Sequence, residues 1–251
     1  MDHEALELLH RARFAELPAD CGVTVDPGVI EIEQWHDWST HRTTTDQLRI
    51  EAWLDTPALR GSRILHVGVG NSGLAERFSP YAATIVGHTI SQLEVDRGRS
   101  LGLPNYDVHL RNKFIRSGDG VSADAPGPGG FDYIVDNNPT TFCCCMKHLA
   151  AMMEDYAANL APRGQIVTDR VGLGWSLDHL GSSPRWGFSF EDFAAVGALV
   201  GLGAWQIDDT IIVLSRVAPP PATLLARLRN KAWRIRGRLV RKLRRRTAAL
   251  G

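Results

Sequence analysis

Short apolar runs of β-forming residues end, at four points of the chain, in residues suited to ligand binding or catalysis. The first run ends in the glycine-rich turn 68–73, and the later runs end in His88 and Thr89, in Asp136 and in Asp169. Glycines let the backbone approach a ligand closely, and a helix that starts at such a turn presents free N–H groups. A carboxylate or an imidazole can remove the proton of a hydroxyl group. The pattern therefore predicts a ligand site built from strand ends.

The elements that must position these residues alternate along the chain. The predicted strands cover 63–70, 83–88, 106–110, 131–136, 165–169, 205–207 and 210–216, and the predicted helices cover 3–16, 45–54, 73–78, 91–101, 141–159 and 190–200. Strands that alternate with helices predict an α/β fold, a doubly wound, mostly parallel sheet with helices on both faces. Ligands of such sheets bind at the carboxyl ends of the strands. The residues named above should therefore meet at one edge of the sheet.

Four segments carry a resemblance to a known family. They are ILHVGVGNS at 64–72, IVGHTIS at 85–91, FDYIVD at 131–136 and NLAPRGQ at 159–165. In their order and spacing they resemble the motifs of class I S-adenosylmethionine-dependent methyltransferases, which have a seven-stranded Rossmann-like sheet. The resemblance covers about 150 residues, 63–217, and implies methyl transfer from S-adenosylmethionine.

The resemblance also implies a set of cofactor-binding residues. Gly68, Gly70 and Ser72 would line the methionine part, Thr89 would meet the ribose, Asn112 the adenine edge, and Asp136 the methionine part and the substrate. Two positions depart from the family pattern, because His66 and Thr89 stand where the family usually has acids. A threonine hydroxyl can still bond a ribose hydroxyl, but it loses a charge-assisted bond of about 1.5–3 kcal/mol. We therefore expect either a low cofactor affinity or an anchor from His88 or another loop.

Three residues are predicted to be catalytic, because a hydroxyl acceptor must lose its proton to a base. They are Asp136, Asp169 and His179. A structural interpretation stays open for each: Asp136 orients the cofactor, Asp169 caps a strand end, and His179 is a solvated loop residue. No metal ligand is predicted. The alternative is a divalent metal held by hard oxygen ligands from Asp136, Asn137 or Asn138, and Asp169.

The acceptor is predicted only as a class. The leading hypothesis is O-methylation of a small molecule or of a glycan, including a lipid-linked one. Residues 138–142, Asn-Pro-Thr-Thr-Phe, are similar to the Asn-Pro-Pro-aromatic motif of amino methyltransferases but lack the second proline. Methylation of RNA or of an amino group is therefore the alternative. The loss of both usual acids also leaves open a non-catalytic scaffold with a methyltransferase-like fold.

The net charge of zero hides two unlike regions. Of 28 Lys and Arg residues, 11 lie in residues 222–251, which contain no acid, so residues 1–221 keep 17 basic against 28 acidic groups, a charge of −11. Leucines and other apolar residues recur in the basic region every three or four positions. A basic amphipathic helix is typical of segments that bind an anionic membrane surface. Nucleic-acid binding, docking on the acidic part and a solvated terminus are the alternatives.

These features predict three regions and a location. Residues 1–60 form an N-terminal helical and loop cap, 61–218 the methyltransferase domain, and 219–251 a tail joined through three prolines. The N-terminus lacks the basic start and apolar run of a signal peptide. We therefore expect a cytoplasmic protein that is peripheral at the inner face of the membrane. Nothing in the sequence indicates an oligomeric state.

The cysteines are predicted to be buried reduced thiols. Three of the four are consecutive, Cys143 to Cys145, and consecutive helical residues point about 100° apart, so the triplet cannot converge on one metal. Cys144 and His148 would share a helix face at the i, i+4 spacing. Two ligands are too few for a zinc site, so no role follows from the pattern.

Overall fold

The computed structural model describes most of the chain outside its C-terminal tail. The described residues are 3–15, 18–22, 37–114, 130–143, 145–174, 187–207 and 209–218, with the backbone alone of 177–178 and 181–182. His179 and the basic tail lie outside the described residues, so the predictions made for them stay predictions.

The secondary structure follows the predicted alternation closely. The helices are α1 (His3–Arg13), α2 (Thr45–Leu54), α3 (Gly73–Phe78), α4 (Gln92–Ser100), α5 (Met146–Asn159), α6 (Arg170–Leu173) and α7 (Phe190–Leu199), with a short 3-10 helix at Pro57–Leu59. The strands are β1 (Arg63–Val67), β2 (Thr84–Thr89), β3 (Tyr106–Leu110), β4 (Phe131–Asp136), β5 (Leu160–Asp169), β6 (Leu177–Asp178), β7 (Gly181–Ser182), β8 (Gly203–Gln206) and β9 (Ile211–Ser215).

Seven of these strands form one sheet in the order β3-β2-β1-β4-β5-β9-β8. The strands β1 to β5 pair in parallel, while β9 runs antiparallel to both β5 and β8. The strand order reverses between β1 and β4, and such a reversal opens a crevice at the carboxyl ends of the neighbouring strands. The predicted fold class, a mostly parallel seven-stranded doubly wound sheet, is confirmed.

Both faces of the sheet are buried, because successive strand residues point to opposite sides. One face carries the buried strand residues Leu65, Ile134, Ile166, Ile212 and Leu214, and packs against residues of α5 and α7. The other carries Ile64, Ile85, Val135, Val167, Ile211 and Val213, and packs against residues of α2 and α3. Burial on both faces explains why the strands read as continuous apolar runs.

The elements before β1 share this core. Ile50 and Leu54 of α2 lie in the same buried cluster as strand residues, while α1 contacts α5 and α7. An ion pair of 2.7 Å between Arg13 and Asp192 also joins α1 to α7. The N-terminal segment is therefore packed on the sheet. Among the described residues, no helix is both long and apolar enough to cross a membrane.

Two boundaries differ from the predictions by five residues each. Helix α5 begins at Met146 rather than near Thr141, because two turns precede it. In these turns the Thr141 N–H donates to the Asn138 carbonyl at 3.1 Å, and the Cys143 N–H donates to the Thr140 carbonyl at 3.0 Å. Strand β5 begins at Leu160, in the segment predicted to be a turn, and its pairing with β4 contains a register shift.

Candidate cofactor and acceptor site

A cavity of about 410 Å³ lies at the carboxyl ends of β1, β2 and β4. Small-molecule sites in proteins range from about 300 to 1,000 Å³. The wall includes five of the predicted site residues, which are Gly68, Gly70, Thr89, Asn112 and Asp136. The crevice predicted from the alternation of elements is therefore present and brings these residues together.

The glycine turn forms the floor between β1 and α3. Gly68 and Gly70 have φ values of +72° and +51°, in the left-handed region that favours glycine. Ser72 is also in this region but does not line the cavity, because its hydroxyl lies 3.0 Å from the Tyr106 hydroxyl. Its neighbour Asn71 lines the cavity instead. The turn thus brings backbone, rather than the predicted serine side chain, to the ligand space.

Glu94, on the first turn of α4, supplies a carboxylate that the sequence analysis missed. The Thr89 hydroxyl donates to Glu94 Oε2 at 2.5 Å, and the Gly70 N–H donates to the same oxygen at 3.1 Å. The acid absent from the end of β2 is therefore replaced by one that reaches the cavity wall from the next helix. The signal was an acid five residues after Thr89 at the start of a predicted helix.

The Glu94 carboxylate is only partly satisfied. The residue is 1% exposed, and its Oε1 atom has no hydrogen-bond partner among the described residues. Burial raises the pKa of Glu94, while hydrogen bonds from the Thr89 side chain and from the backbone of Gly70 and Trp38 oppose part of that rise. A buried carboxylate oxygen without a partner is costly. A ligand hydroxyl in the cavity would remove that cost.

Asn112, just beyond β3, is a second buried group with unused hydrogen-bonding capacity. Its Oδ1 accepts from the Phe114 N–H at 3.0 Å, whereas its buried Nδ2 has no partner among the described residues. Since Oδ1 is already engaged, the side chain can offer two N–H donors to the cavity. This donor set suits the ring nitrogens of a planar heterocycle such as adenine.

Asp136, at the end of β4, is in contrast fully engaged. Its carboxylate accepts from Lys113 Nζ at 3.0 and 3.3 Å, from the Tyr156 hydroxyl at 2.8 Å and from the Asn138 N–H at 3.1 Å. Burial, followed by the charge of Asp136, raises the pKa of Tyr156 well above its usual range. The oxygens of this carboxylate are thus already occupied by donors of the protein itself. The geometry therefore favours the orienting role for Asp136.

Asp169 lies outside the cavity wall. Its side chain is fully buried and forms two bonds of 2.7 Å with the Arg49 guanidinium. It also caps α6 by accepting from the Val171 N–H at 2.8 Å. These contacts join α2, β5 and α6, so they favour the structural interpretation of this residue. Because Asp136 and Asp169 are each paired with a cation, the divalent-metal alternative gains no support either.

Asp46, on the first turn of α2, faces the other end of the cavity. It is partly exposed, and it accepts from the Asn137 side-chain amide at 2.5 Å. Within the described part of the chain, no lysine or arginine forms an ion pair with it. Asp46 is thus a carboxylate with a neutral partner beside the Asn137-Asn138-Pro139 segment. The sequence analysis did not identify Asp46 as a site residue.

Two histidines on the wall are held neutral by burial. His66 replaces the usual acid of β1, and burial lowers its pKa to about 4. Its Nε2 atom lies 3.3 Å from Gln47 Nε2, and its Nδ1 has no partner among the described residues. Burial, followed by the charges of Arg111 and His109, lowers the pKa of His88. Neutral imidazoles place polar atoms beside a cationic ligand without repelling it.

Solved structures of low sequence identity share this architecture. The N-methyltransferase NodS from Bradyrhizobium japonicum WM9, in complex with S-adenosyl-L-homocysteine, is 13% identical, with a TM-score of 0.51 over 75% of this chain and 97% of its own. DesVI from Streptomyces venezuelae is 13% identical, with a TM-score of 0.50 over 72% and 92% of the two chains. A TehB-like methyltransferase from Corynebacterium glutamicum is 18% identical, with a TM-score of 0.48 over 66% and 85%.

These likenesses concern the fold. No protein-family model matches the chain, and no curated protein matches it. The described residues have the fold of class I S-adenosylmethionine-dependent methyltransferases, as the sequence motifs predicted.

Proposed function

We propose that the protein transfers a methyl group from S-adenosylmethionine to a small-molecule acceptor. The observation that carries the proposal is one cavity lined by a glycine turn, by Glu94 and by Asn112, where Glu94 Oε1 and Asn112 Nδ2 have no partner among the described residues. Both unpartnered groups are buried, and a nucleoside offers hydroxyl donors and ring acceptors to match them. The complex of NodS with S-adenosyl-L-homocysteine supports the same cofactor class.

The cofactor-binding residues follow from the chemistry of the wall. Glu94, positioned by Thr89, accepts hydrogen bonds from the ribose hydroxyls, and Asn112 donates to the adenine edge. The glycine turn around Gly68 and Gly70 admits the methionine part close to the backbone. When bound, the cofactor supplies a methyl group that is already activated by a sulfonium. The protein therefore needs mainly to align donor and acceptor.

The acceptor side of the proposal rests on Asp46. A hydroxyl acceptor must lose its proton, and a partly exposed carboxylate with a neutral partner is suited to take it. Asp136, which also lines the cavity, accepts hydrogen bonds from Lys113 and Asn138 and so fixes their positions. The proposed reaction is therefore O-methylation of a small molecule or glycan, with Asp46 as the base.

Methylation of an amino group is the second candidate, and the same carboxylate favours it. A neutral amine would donate an N–H to Asp46, next to the Asn138-Pro139 pair that is similar to the amino methyltransferase motif. This bond would direct the nitrogen lone pair at the methyl group, and the methylated ammonium that forms would then release a proton to solvent. The two reactions differ in the bond that is formed, a methyl ether or a methylamine. Mass spectrometry and NMR of the product distinguish them.

Methyl transfer is tested by incubating the purified chain with cell extract and labelled S-adenosylmethionine. We expect one or a few small molecules to acquire the label, and Asp46→Asn to lower kcat by roughly a hundredfold or more while Kd for the cofactor stays unchanged. Asp96→Asn is the matched control, because Asp96 is exposed and accepts from the Gln92 side-chain amide at 2.8 Å. A chain that binds no cofactor in the millimolar range would instead be the non-catalytic scaffold.

The site of action is a further part of the proposal, based on the basic residues of 222–251. Each basic group adds about 1 kcal/mol near an anionic membrane surface. We propose that the enzyme acts at the cytoplasmic face of a membrane, on an acceptor made there. Flotation with anionic liposomes should recover the full chain but not a chain that ends at residue 221. Equal flotation of the two, or salt-dependent binding of bulk RNA in preference to liposomes, contradicts this placement.

A further inference from the structure

Two cysteines and a histidine meet at the start of α5, on a part of the molecule that the proposed reaction does not use. Cys21 Sγ lies 3.6 Å from His148 Nδ1, and Cys145 Sγ lies 3.3 Å from the same nitrogen. All three atoms are within 4.8 Å of one another. Cys145 and His148 are buried, whereas Cys21 is partly exposed.

Backbone contacts fix this arrangement independently of the side chains. The N–H groups of Met146 and Lys147, which a helix start leaves without internal partners, donate to the carbonyls of Pro18 and Ala19 at 3.0 Å each. An ion pair of 2.8 Å between Lys147 and Asp20 adds to this docking. Segment 18–22 is thereby held against the first turn of α5, and the sulfur of Cys21 is brought to a preformed position.

The distances match the edges of a tetrahedral metal site. Zinc binds sulfur at about 2.3 Å and imidazole nitrogen at about 2.0–2.1 Å, so tetrahedral angles place sulfur and nitrogen ligands about 3.6 Å apart. The two measured sulfur–nitrogen separations, 3.6 and 3.3 Å, agree with this value. Two thiolates and an imidazole also form a donor set that selects soft or borderline metal ions.

We propose that Cys21, Cys145 and His148 bind one zinc ion. Three protein ligands leave the fourth tetrahedral position to water or to an added ligand. The partly exposed Cys21 gives the ion a path from solvent. The bound ion would clip segment 18–22 to α5, the helix that follows the Asn138-Pro139 turn of the cavity.

The sequence shows two of the three ligands at a recognisable spacing. Cys145 and His148 have the C-x-x-H spacing, but a helix predicted from about Thr141 pairs His148 with Cys144 instead. The later start of α5, at Met146, puts Cys145 at the helix N-cap. Cys21 is 124 positions away from Cys145 in sequence, so only the tertiary structure joins the three.

Cobalt titration of the reduced, chelator-treated full chain tests the site. We expect one Co²⁺ per chain, with the thiolate charge-transfer and visible bands of tetrahedral coordination, and displacement by Zn²⁺. Cys21→Ser should lower the cobalt affinity by roughly tenfold to a hundredfold or more. Cys145→Ser and His148→Ala should lower it by a similar factor. At a zinc concentration about a hundredfold above Kd, Tm should rise by roughly 5–10 °C.

Cys143→Ser is the matched control, because Cys143 is equally buried but its sulfur bonds the Cys145 carbonyl at 3.4 Å and is not part of the cluster. It should bind cobalt as the wild type does. Cys21→Ser keeps the test decisive if the buried variants fail to fold, since Cys21 is partly exposed. Cobalt binding that Cys21→Ser leaves unchanged, or no binding at all, overturns the proposal. So does a Cys21–Cys145 disulfide that persists in chain purified with zinc.

Discussion

The buried carboxylates at the two ends of the sheet's carboxyl edge are paired differently. At the ends of β1, β2 and β3, Glu94 keeps an oxygen and Asn112 keeps an amide nitrogen that have no partner among the described residues. At the ends of β4 and β5, Asp136 and Asp169 are each paired with a cation and accept further hydrogen bonds. Buried polar groups are costly when unpaired, so a fold retains them where a ligand completes them. The difference favours cofactor binding at the first end and a positioning or structural role for Asp136 and Asp169 at the second.

The largest effect expected from this comparison concerns the glycine turn. Gly70→Arg should lower the affinity for S-adenosylmethionine by at least a factor of about a thousand, roughly 4 kcal/mol. A Cβ at this position would already lie 3.7 Å from Trp38 Cβ, and φ is +51°. Because Gly70 lines the cavity, the long arginine side chain should occupy ligand space. Isothermal titration calorimetry measures the loss.

A substitution at a second glycine, Gly102, distinguishes the effect of filling the cavity from the effect of backbone strain. Gly102, in the turn between α4 and β3, has φ of +60°, and a Cβ added to it would meet no other atom within 4 Å. It also lies away from the cavity wall. Gly102→Arg should cost about 1–2 kcal/mol of stability, because left-handed backbone disfavours a side chain. Its cofactor affinity should equal that of the wild type. If a folded Gly70→Arg variant bound S-adenosylmethionine with unchanged affinity, the cofactor would not bind at this turn.

The next effect concerns Asp169, at the end of β5, and the stability of the folded protein. Asp169→Asn should lower the free energy of unfolding by about 2–3 kcal/mol, because it breaks a buried pair with Arg49. The value lies below that of a fully buried pair because the Arg49 side chain is 33% exposed. Urea denaturation measures the change, and cofactor affinity should not alter.

The exposed i, i+4 pair between Glu7 and Arg11 provides the comparison for Asp169→Asn. Glu7→Gln should change the free energy of unfolding by less than about 0.5 kcal/mol, since surface pairs contribute little. If Asp169→Asn instead abolished methyl transfer without loss of stability, Asp169 would be a catalytic residue, and the structural interpretation of the β5 end would fail.

Most of the fold could be predicted from the sequence because local patterns determine it. The runs 106–110 and 131–136 are bounded by turn residues and apolar within, and their strands have the predicted bounds. The start of α5 could not be predicted, because residues 141–145 lack a helix-breaking residue. Their turns arise from backbone bonds to Asn138 and Thr140, which a helical pattern does not reveal.

The site was predictable only where it is built from strand ends. Gly68, Gly70, Thr89, Asn112 and Asp136 line the cavity because the fold places the ends of parallel strands at one edge. The side-chain partners of these residues come from other elements. The bond between Thr89 and Glu94 and that between Asp46 and Asn137 depend on how α4 and α2 are packed, which spacing along the chain does not determine.

A smaller effect is expected for the carboxylate of the first end. Glu94→Gln keeps the shape of the side chain but removes its charge, so the affinity for S-adenosylmethionine should fall roughly tenfold to a hundredfold. Stability should not fall, because the variant no longer buries a charge. Glu76→Gln is the matched control, since Glu76 forms an exposed pair with Arg97 at 2.8 Å. Equal cofactor affinity of the two variants would contradict the assignment of the ribose to Glu94.

The smallest effect is a pH dependence with opposite signs for binding and folding. Burial raises the pKa of Glu94 above its usual value of 4.5, and the nearby charge of Asp37 adds to the rise. Below the raised pKa the carboxyl is protonated, so it loses the negative charge that strengthens a hydrogen bond from a ribose hydroxyl. The cofactor affinity should therefore increase with pH, by up to about tenfold per unit, and level off above that pKa.

Folding should respond to pH in the other direction. Between the ordinary and the raised pKa of Glu94, the unfolded chain holds fewer protons at this residue than the folded chain does. The Glu94 contribution to stability is thus complete below the ordinary pKa and is lost as pH rises through the raised one. Calorimetric titrations and urea denaturation across this window should give slopes of opposite sign in the wild type. Both slopes should be smaller in Glu94→Gln, and slopes that the substitution leaves unchanged would assign the titration to another group.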